Sequence, residues 1–277
     1  MVEAPRIRII YEKVRFTKNK LIIRAYGPSY KKFGINLENY TIRKWWYAGK
    51  YIYTYVIQNG YPPYVIRTHM MMYGKIIINH EYEVNPRLRP FLTLELDDNT
   101  ILQWYLSQIK LLDPCCKTDM IKSNYTICSS KQSINDSIIM AKYDISNKLF
   151  DINLLINHIF NNLDRLANDI LVDLLLNQEF FPGVGNILQQ EALYRCKYLP
   201  TKLVKEIGIF DIKCLIAELQ KVIGQLYESY LNKLTNKPHK PILQIYHKSI
   251  CPLGHKTVTK YLGYHNRRTT WCPICQK

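Results

Sequence analysis

The sequence contains no long apolar segment, which argues against a protein with membrane-spanning helices. No apolar run approaches the ~18 residues that a membrane-spanning helix needs. The stretch from Met1 to Phe16 mixes charged and apolar residues and lacks the apolar core of a signal peptide. Internal repeats and long low-complexity tracts are also missing, and a hydrophobic fraction of 47% is too high for a disordered chain. We therefore expect a globular protein without a membrane partner.

Acidic residues are also few. Asp and Glu number 22 against 38 Lys and Arg, which gives a formal net charge of +16. A nucleic acid is the expected partner, because each phosphate that Lys or Arg neutralises releases counterions and strengthens binding. A basic surface that serves only solubility is the alternative. The length of 277 residues favours about two domains, and we expect a monomer.

Cysteine is present, but its placement argues against a disulfide framework. Three of the eight cysteines crowd the C-terminal tail, and the others are scattered: Cys115, Cys116, Cys128, Cys196 and Cys214. In the tail, Cys251-x3-His255 precedes Cys272-x2-Cys275. Tetrahedral Zn²⁺ favours four nitrogen or sulfur ligands, and a short spacer lets two ligands on one turn reach one ion. We expect one structural Zn²⁺ in a reducing, intracellular compartment; a chance cluster of thiols is the alternative.

The spacing of apolar residues predicts an α+β chain. Up to about residue 110, short runs separated by turns predict an antiparallel β-sandwich or barrel, with strands at 6–11, 21–26, 51–57, 64–68, 75–79, 91–96 and 101–106. Residues 115–140 are polar and typical of a linker. Beyond Asp151, apolar residues recur at helical spacing, which predicts helices at 151–160, 163–176, 187–195 and 208–234.

A glycine-containing turn separates two of these helices. Pro182-Gly183-Val184-Gly185 leads into a helix for which we predict Asn186 as the N-cap. Glycines let a backbone come close to a phosphate, and the N–H groups at a helix start bind anions. Phosphate binding is the favoured interpretation, and a plain helix–helix turn is the alternative.

The N-terminus offers a possible nucleophile. Removal of Met1 before the small residue Val2 exposes an α-amine, whose reference pKa of about 7.7–8.0 leaves a sizeable neutral fraction near physiological pH. Neutral amines attack carbonyl carbons and form Schiff bases, and Glu3 next to it could carry protons. Any processed protein has such an amine, so this signal is weak by itself.

Together these segments resemble the formamidopyrimidine-DNA glycosylase/endonuclease VIII family of bifunctional DNA glycosylases. The resemblance runs in family order over nearly the whole chain. It is carried by Val2-Glu3-Ala4-Pro5, Gly49-Lys50-Tyr51, His69-Met-Met-Met-Tyr-Gly74, Leu175-Leu-Asn-Gln178, Pro182-Gly-Val-Gly-Asn-Ile187, Glu191, Leu193, Asn266-Arg267 and Trp271-Cys-Pro-Ile-Cys-Gln276. The Cys-x3-His pair is similar to that of the animal endonuclease VIII-like proteins.

The resemblance implies a fold and a set of roles. The domains would be a catalytic β-sandwich at 1–114, a hinge at 115–145, a helix–two-turn–helix domain at 146–240 and a zinc ribbon at 241–277. Val2 would be the nucleophile and Glu3 the proton carrier. Lys50, Asn186 and Arg267 would hold phosphates around the extruded nucleotide. The remaining candidates for DNA binding are His69, Met71, Met72, Tyr73 and Lys248, with His69 and the Met70–Tyr73 loop entering the duplex and filling the gap.

The implied reaction is the excision of an oxidised base from damaged DNA, double- or single-stranded, followed by β- or β,δ-elimination. Oxidised pyrimidines and hydantoins are the expected substrates. One alternative is a glycosylase directed at 8-oxoguanine or formamidopyrimidine, and another is an inactive protein that binds damaged DNA. Lys50 as a plain strand-edge lysine and the methionines as core residues are the structural alternatives.

The chain departs from the family pattern in three places. It has Val2 where most members expose proline, and Ala4 and Arg6 replace more usual residues. The Asp-x-Arg-x-Phe-Gly segment of bacterial members has no counterpart between Leu102 and Leu111, which disfavours the 8-oxoguanine alternative. Abundant Ile, Asn, Lys and Tyr indicate an AT-rich genome, such as that of a large DNA virus, and a location in the cytoplasm, nucleus, viral factory or virion.

Overall fold

The computed structural model describes residues 2–79, 88–112, 130–238 and 242–277, with the backbone alone for 130–134. The chain divides into two compact units. The first contains Val2 and Ile7–Ile139, and the second contains Glu3–Arg6 and Met140–Lys277. Among the described residues, no helix combines the length and apolar character needed to cross a membrane.

The first unit is built on two four-stranded antiparallel sheets. Its strands are β1 (Ile22–Tyr26), β2 (Thr41–Ala48), β3 (Tyr51–Ile57), β4 (Tyr64–His69), β5 (Lys75–Ile78), β6 (Leu92–Leu96), β7 (Ile101–Tyr105) and β8 (Gln108–Leu112). One sheet has the order β1-β6-β7-β5 and the other β2-β3-β4-β8. Trp45 of β2 and Trp104 of β7 stack with ring centroids 6.4 Å apart in the shared core. This confirms the predicted antiparallel sandwich.

The segment 6–11 forms a helix, so the predicted first strand is wrong. Helix α1 spans Ala4–Val14 and is followed by a 3₁₀ turn at Arg15–Thr17 and the short α2 (Pro28–Lys31). The local alternation of charged and β-branched residues suggested a strand. The buried Ile7, Ile10 and Val14 nevertheless recur at intervals of three and four, which places them on one helical face. Burial of that face decides the structure.

Helices and a β-ribbon make up the second unit. Helix α3 (Ser130–Tyr143) begins in the first unit, within the predicted linker; residues 113–129 lie outside the described chain. The following elements are α4 (Ile152–Phe160), α5 (Leu163–Leu166), α6 (Leu171–Leu176), α7 (Asn186–Arg195), a 3₁₀ turn at Val204–Glu206, α8 (Ile209–Leu234), β9 (Val258–Leu262) and β10 (Arg267–Trp271). The predicted apolar stripe of α8 is buried in the core, as Leu215, Leu219, Val222, Ile223 and Leu226 show.

The predicted helix at 163–176 is broken into α5 and α6. Between them the backbone pairs with a distant segment instead of continuing the helix. Val204 donates its N–H to the carbonyl of Asp169, and Ile170 forms a β-bridge with Leu203. These tertiary hydrogen bonds replace the helical ones, which a local pattern of apolar residues cannot reveal.

Candidate active site

In the first unit, Val2 is fixed by its side chain. Its isopropyl group lies in the sandwich core, where the residue is 2% exposed. Its backbone nitrogen lies 3.4 Å from the carbonyl oxygen of Met71, to which it donates a hydrogen bond. The atom predicted to act as the nucleophile is therefore held against the loop that follows β4.

Lys50 lies in the two-residue turn that joins β2 to β3. Gly49 has φ +57°, a conformation that favours glycine, and Ala48 pairs with Tyr51 across the turn. Tyr51 also pairs with His69, the last residue of β4, and their ring centroids are 5.0 Å apart. The hairpin thus brings two of the predicted site residues, Lys50 and His69, to the same end of one sheet.

The loop after His69 presents large apolar side chains to solvent. Met71, Met72 and Tyr73 are 49%, 53% and 68% exposed. Met70 is buried in the sandwich core, so the prediction that the whole Met70–Tyr73 segment enters the duplex is wrong for this residue. Gly74 closes the loop by donating its N–H to the carbonyl of Met70, which lies so close that a side chain at 74 would collide with it.

The environment of His69 disfavours its protonation. Burial, followed by the positive charges of Lys50 and Arg67, lowers the pKa of the imidazole below its usual value of 6.5. Its Nδ1 atom lies 3.2 Å from the sulfur of Met71. At neutral pH, His69 is therefore an uncharged hydrogen-bonding group, and Lys50 and Arg67 supply the positive charge around it.

In the second unit, Glu3 lies at the N-terminus of α7. Its carboxylate oxygens accept hydrogen bonds from the backbone N–H groups of Ile187, at 2.9 Å, and Leu188, at 3.1 Å. Because α7 begins there, its dipole adds to the stabilisation of the negative charge. The anion that the glycine turn accommodates in this structure is therefore the Glu3 side chain.

Glycine at position 185 makes this contact possible. A Cβ atom there would lie 2.5 Å from the Glu3 carboxyl carbon, so any side chain would displace the carboxylate. Gly185 is also the N-cap of α7, with Asn186 as its first residue, which makes the predicted N-cap role of Asn186 wrong. Gln178 steadies the turn, since its amide donates to the carbonyl of Val184 and accepts from the N–H of Gly183.

Asn186 connects α7 to the ribbon. Its side-chain amide donates to the backbone carbonyl of Arg268 on β10, and Asn186 lies close enough to Tyr246 to influence the pKa of that hydroxyl. Burial and the negative charge of Glu3 raise the pKa of Tyr246. The structure therefore brings together Glu3, Asn186 and Tyr246, and sequence reasoning did not identify the tyrosine.

Glu191 fixes the backbone of the segment that carries Tyr246. Its fully buried carboxylate accepts hydrogen bonds from three consecutive backbone N–H groups, those of Gln244, Ile245 and Tyr246. The sequence singles out Glu191 within a family block, but the contact crosses more than fifty residues and becomes evident only in the fold. Lys248, a little farther along, is exposed.

Arg267 is half-buried and opens β10, whose preceding turn is anchored by α6. Asp173 accepts a hydrogen bond of 2.8 Å from the N–H of Tyr264, and the Tyr264 hydroxyl donates to Asp169 at 2.9 Å. Gly263, with φ +72°, lies so close to the Asp173 carboxylate that a side chain would collide with it. These contacts fix the strand that carries Arg267.

The four predicted metal ligands converge in the ribbon. The ligand atoms of Cys251, His255, Cys272 and Cys275 all lie within 4.8 Å of one another. The sulfurs of Cys251 and Cys275 are 3.9 Å apart, and His255 Nδ1 is 3.7 Å from the Cys251 sulfur. Sulfur ligands at about 2.3 Å from a tetrahedral centre lie about 3.8 Å apart, so this arrangement can hold a metal ion. Cys196 and Cys214 are free thiols; the other scattered cysteines lie outside the described residues.

No protein-family model matches the chain, but individual proteins do. It is 54% identical over 276 residues to endonuclease 8-like L720 of Acanthamoeba polyphaga mimivirus, with 100% of both chains covered. It is 53% identical to a crystal structure of a viral DNA glycosylase, with a TM-score of 0.90 and all of both chains covered. Formamidopyrimidine-DNA glycosylase of Lactococcus lactis, solved non-covalently bound to DNA with an AP site, shares the fold, with 18% identity, 99% of each chain covered and a TM-score of 0.71.

The mimiviral relative exceeds 50% identity over its full length, and the same sandwich, helices and ribbon recur in the solved glycosylases. The resemblance drawn from the sequence blocks is therefore confirmed. This chain belongs to the formamidopyrimidine-DNA glycosylase/endonuclease VIII family of DNA glycosylases.

Proposed function

We propose that the protein is a bifunctional DNA glycosylase and apurinic/apyrimidinic-site lyase of base excision repair, with Val2 as nucleophile and Glu3 as proton carrier. The observation that carries the proposal is the environment of these consecutive residues. The Val2 nitrogen lies against the exposed Met71–Tyr73 loop, and the Glu3 carboxylate is bound at the start of α7. DNA, which is bound in the solved Lactococcus complex, is the partner that a charge of +16 favours.

The proposed reaction starts with a nucleotide extruded from the stack, because C1′ is inaccessible within a duplex. The Val2 amine attacks C1′, the bond to the base breaks, and the base leaves with a proton. Glu3 moves protons at this stage, and the opened sugar remains joined to Val2 as a Schiff base. The iminium acidifies the protons at C2′. Loss of one of them expels the 3′ phosphate by β-elimination, and δ-elimination of the 5′ phosphate can follow.

Oxidised pyrimidines and hydantoins are the proposed substrates. The connection between β7 and β8 supports them over 8-oxoguanine. It consists only of Leu106 and Ser107, and so leaves no room for the loop whose Arg and Phe side chains the bacterial pattern contains. The proposal of an inactive DNA-binding protein is disfavoured because Val2, Glu3 and Lys50 are all present.

Borohydride trapping on an oligonucleotide with an abasic site tests the proposal. Reduction of a Schiff base should link protein and DNA covalently, and peptide mapping should locate the link at Val2. Failure to trap any adduct under conditions where the protein binds the same oligonucleotide would leave only the binding function.

The short β7–β8 connection also predicts the preferred form of the substrate. A flipped nucleotide leaves a hole, and unstacking costs a few kcal/mol unless side chains fill it. The loop with Met71, Met72 and Tyr73 offers exposed apolar side chains for this, whereas the β7–β8 turn contains neither Arg nor Phe. Excision of an oxidised pyrimidine from single-stranded or bubble DNA should therefore be at least as fast as from a duplex, with weak dependence on the opposite base. A strong duplex requirement in matched single-turnover assays would contradict this.

We further propose that the Cys251, His255, Cys272 and Cys275 cluster holds one structural Zn²⁺, since three thiols and one imidazole suit that ion. Cys272→Ser should lose the metal and release the ribbon, so that DNA affinity and excision fall together. Arg267→Ala is the matched control: it should weaken DNA binding and keep one zinc per chain. Retention of zinc in Cys272→Ser, measured by atomic emission, would show that the ligand set is different.

A further inference from the structure

A second cation lies beside Lys50 and His69 on the sheet of the first unit. Arg67 is on β4, two residues before His69, and successive residues of a strand point to opposite faces, so both side chains project from the same face. The guanidinium carbon of Arg67 lies 5.2 Å from the centre of the Tyr51 ring. The same ring lies 5.0 Å from the imidazole of His69. Tyr51 therefore forms a platform between the two residues.

The contact with Tyr51 orients Arg67 and leaves its charge intact. A cation–π interaction attracts a guanidinium to a ring face but accepts none of its protons, so its N–H donors remain able to bind an anion. Arg67 is also half-buried, and a guanidinium retains its positive charge in such surroundings. Lys50, which precedes Tyr51, adds a second cationic side chain at this end of the sheet.

Lys50 precedes Tyr51, which pairs with His69 across β3 and β4, and Arg67 lies two residues before His69, so the three residues lie near one end of this sheet. Lys50 and Arg67 both act on the imidazole and, after burial, are the causes that lower its pKa. Two cations that are close enough to oppose protonation of His69 also create a positive potential at its ring. An anion that enters there would meet Lys50, Arg67 and the uncharged imidazole together.

We propose that Arg67 binds a phosphate of the DNA backbone as the third member of this cluster, with Tyr51 as its support. The proposal deepens the proposed function and rests on it, because the anion is taken to be the DNA that the enzyme processes. It adds to Lys50 and His69 a residue that the family blocks of the sequence do not contain. The competing role for Arg67 is purely structural: it pairs with Tyr53 across β3 and β4, and Asp136 lies near enough to influence Tyr53.

The salt dependence of DNA binding distinguishes these roles. For a duplex, the slope of log K against log salt concentration is about −0.9 for each phosphate neutralised by a cation. Affinity for a duplex containing a reduced abasic site would be measured for each variant between about 50 and 200 mM salt. Arg67→Gln should reduce the slope by about 0.9 and Arg67→Lys should preserve it. His69→Gln should weaken binding without changing the slope, because its imidazole is uncharged.

Lys44 provides the matched control. Its ammonium group lies 5.8 Å from the ring of Trp46, two residues farther along the same strand, β2, so it makes the same type of contact away from His69. Lys44→Gln should leave the slope unchanged. Thermal melting of each variant shows whether the sandwich remains folded, and Arg67→Lys keeps the test informative if Arg67→Gln is unstable.

The outcomes separate this inference from the proposed function. If Lys50→Gln reduces the slope and Arg67→Gln does not, Arg67 has only a structural role and the inference is overturned. If neither substitution changes the slope, this end of the sheet does not bind DNA and the assignment of Lys50 fails as well. A reduction in both variants, with none in Lys44→Gln, supports the cluster.

Discussion

Glu3→Gln should lower the rate of base excision by about 10²–10⁴, the usual effect of losing a positioned acid–base group. Glutamine retains the length and shape of the side chain but cannot carry the proton. It also fits its surroundings poorly. The Glu3 carboxylate accepts from the N–H groups of Ile187 and Leu188 with its two oxygens, whereas an amide offers one oxygen and one NH₂ group that would oppose a donor.

The two stages of the reaction should respond differently to this change. Strand cleavage at a preformed abasic site requires no departure of a base, so it should be impaired less than excision. Single-turnover rates on a damaged base and on an abasic site, measured side by side, provide the comparison. Glu12→Gln is a suitable control, because Glu12 forms a partly exposed ion pair with Arg8 on α1. Equal and small losses in both stages would indicate that Glu3 has only a structural role.

Features set by neighbouring residues could be predicted from the sequence. The turns at Asn59-Gly60 and Asp97–Asn99 lie between strands predicted at 51–57 and 64–68 and at 91–96 and 101–106, and the positive φ values at Gly60 and Asn99 suit those residue types. The Cys-x3-His and Cys-x2-Cys spacings likewise predict a convergent cluster, since each pair is confined to one turn. In these cases the determining interactions span only a few residues.

Features that depend on distant contacts could not be predicted. The Glu3 carboxylate reaches α7 across more than 180 positions of sequence, so the sequence does not reveal that Gly185 leaves room for it. The local pattern predicts a strand where helix α1 lies, because the helical period becomes clear only from the burial of Ile7 and Val14. Arg67 illustrates the same limit, because its relation to His69 requires the register of β3 and β4.

Blocking the α-amine of Val2 should have the other large effect on activity. An uncleaved Met1, or a few residues added before Val2, should reduce borohydride trapping and strand cleavage to the background level. The added peptide bond converts the amine into an amide, whose nitrogen lone pair is delocalised into the carbonyl and is not nucleophilic. DNA affinity should change little in comparison, because the positive charges of Lys50, Arg67 and Arg267 remain.

The decisive form of this experiment uses an extension that a protease removes to leave Val2 as the first residue. Trapping and cleavage should be absent before proteolysis and restored after it, with the same preparation as its own control. Val2→Pro should remain active, because a secondary amine also forms an iminium ion with the sugar aldehyde. The rate of Schiff-base formation should rise as the pH passes the reference α-amine range of about 7.7–8.0, since only the neutral amine attacks. Full activity with the extension intact would exclude Val2 and transfer the role to a lysine, with Lys50 the first to test.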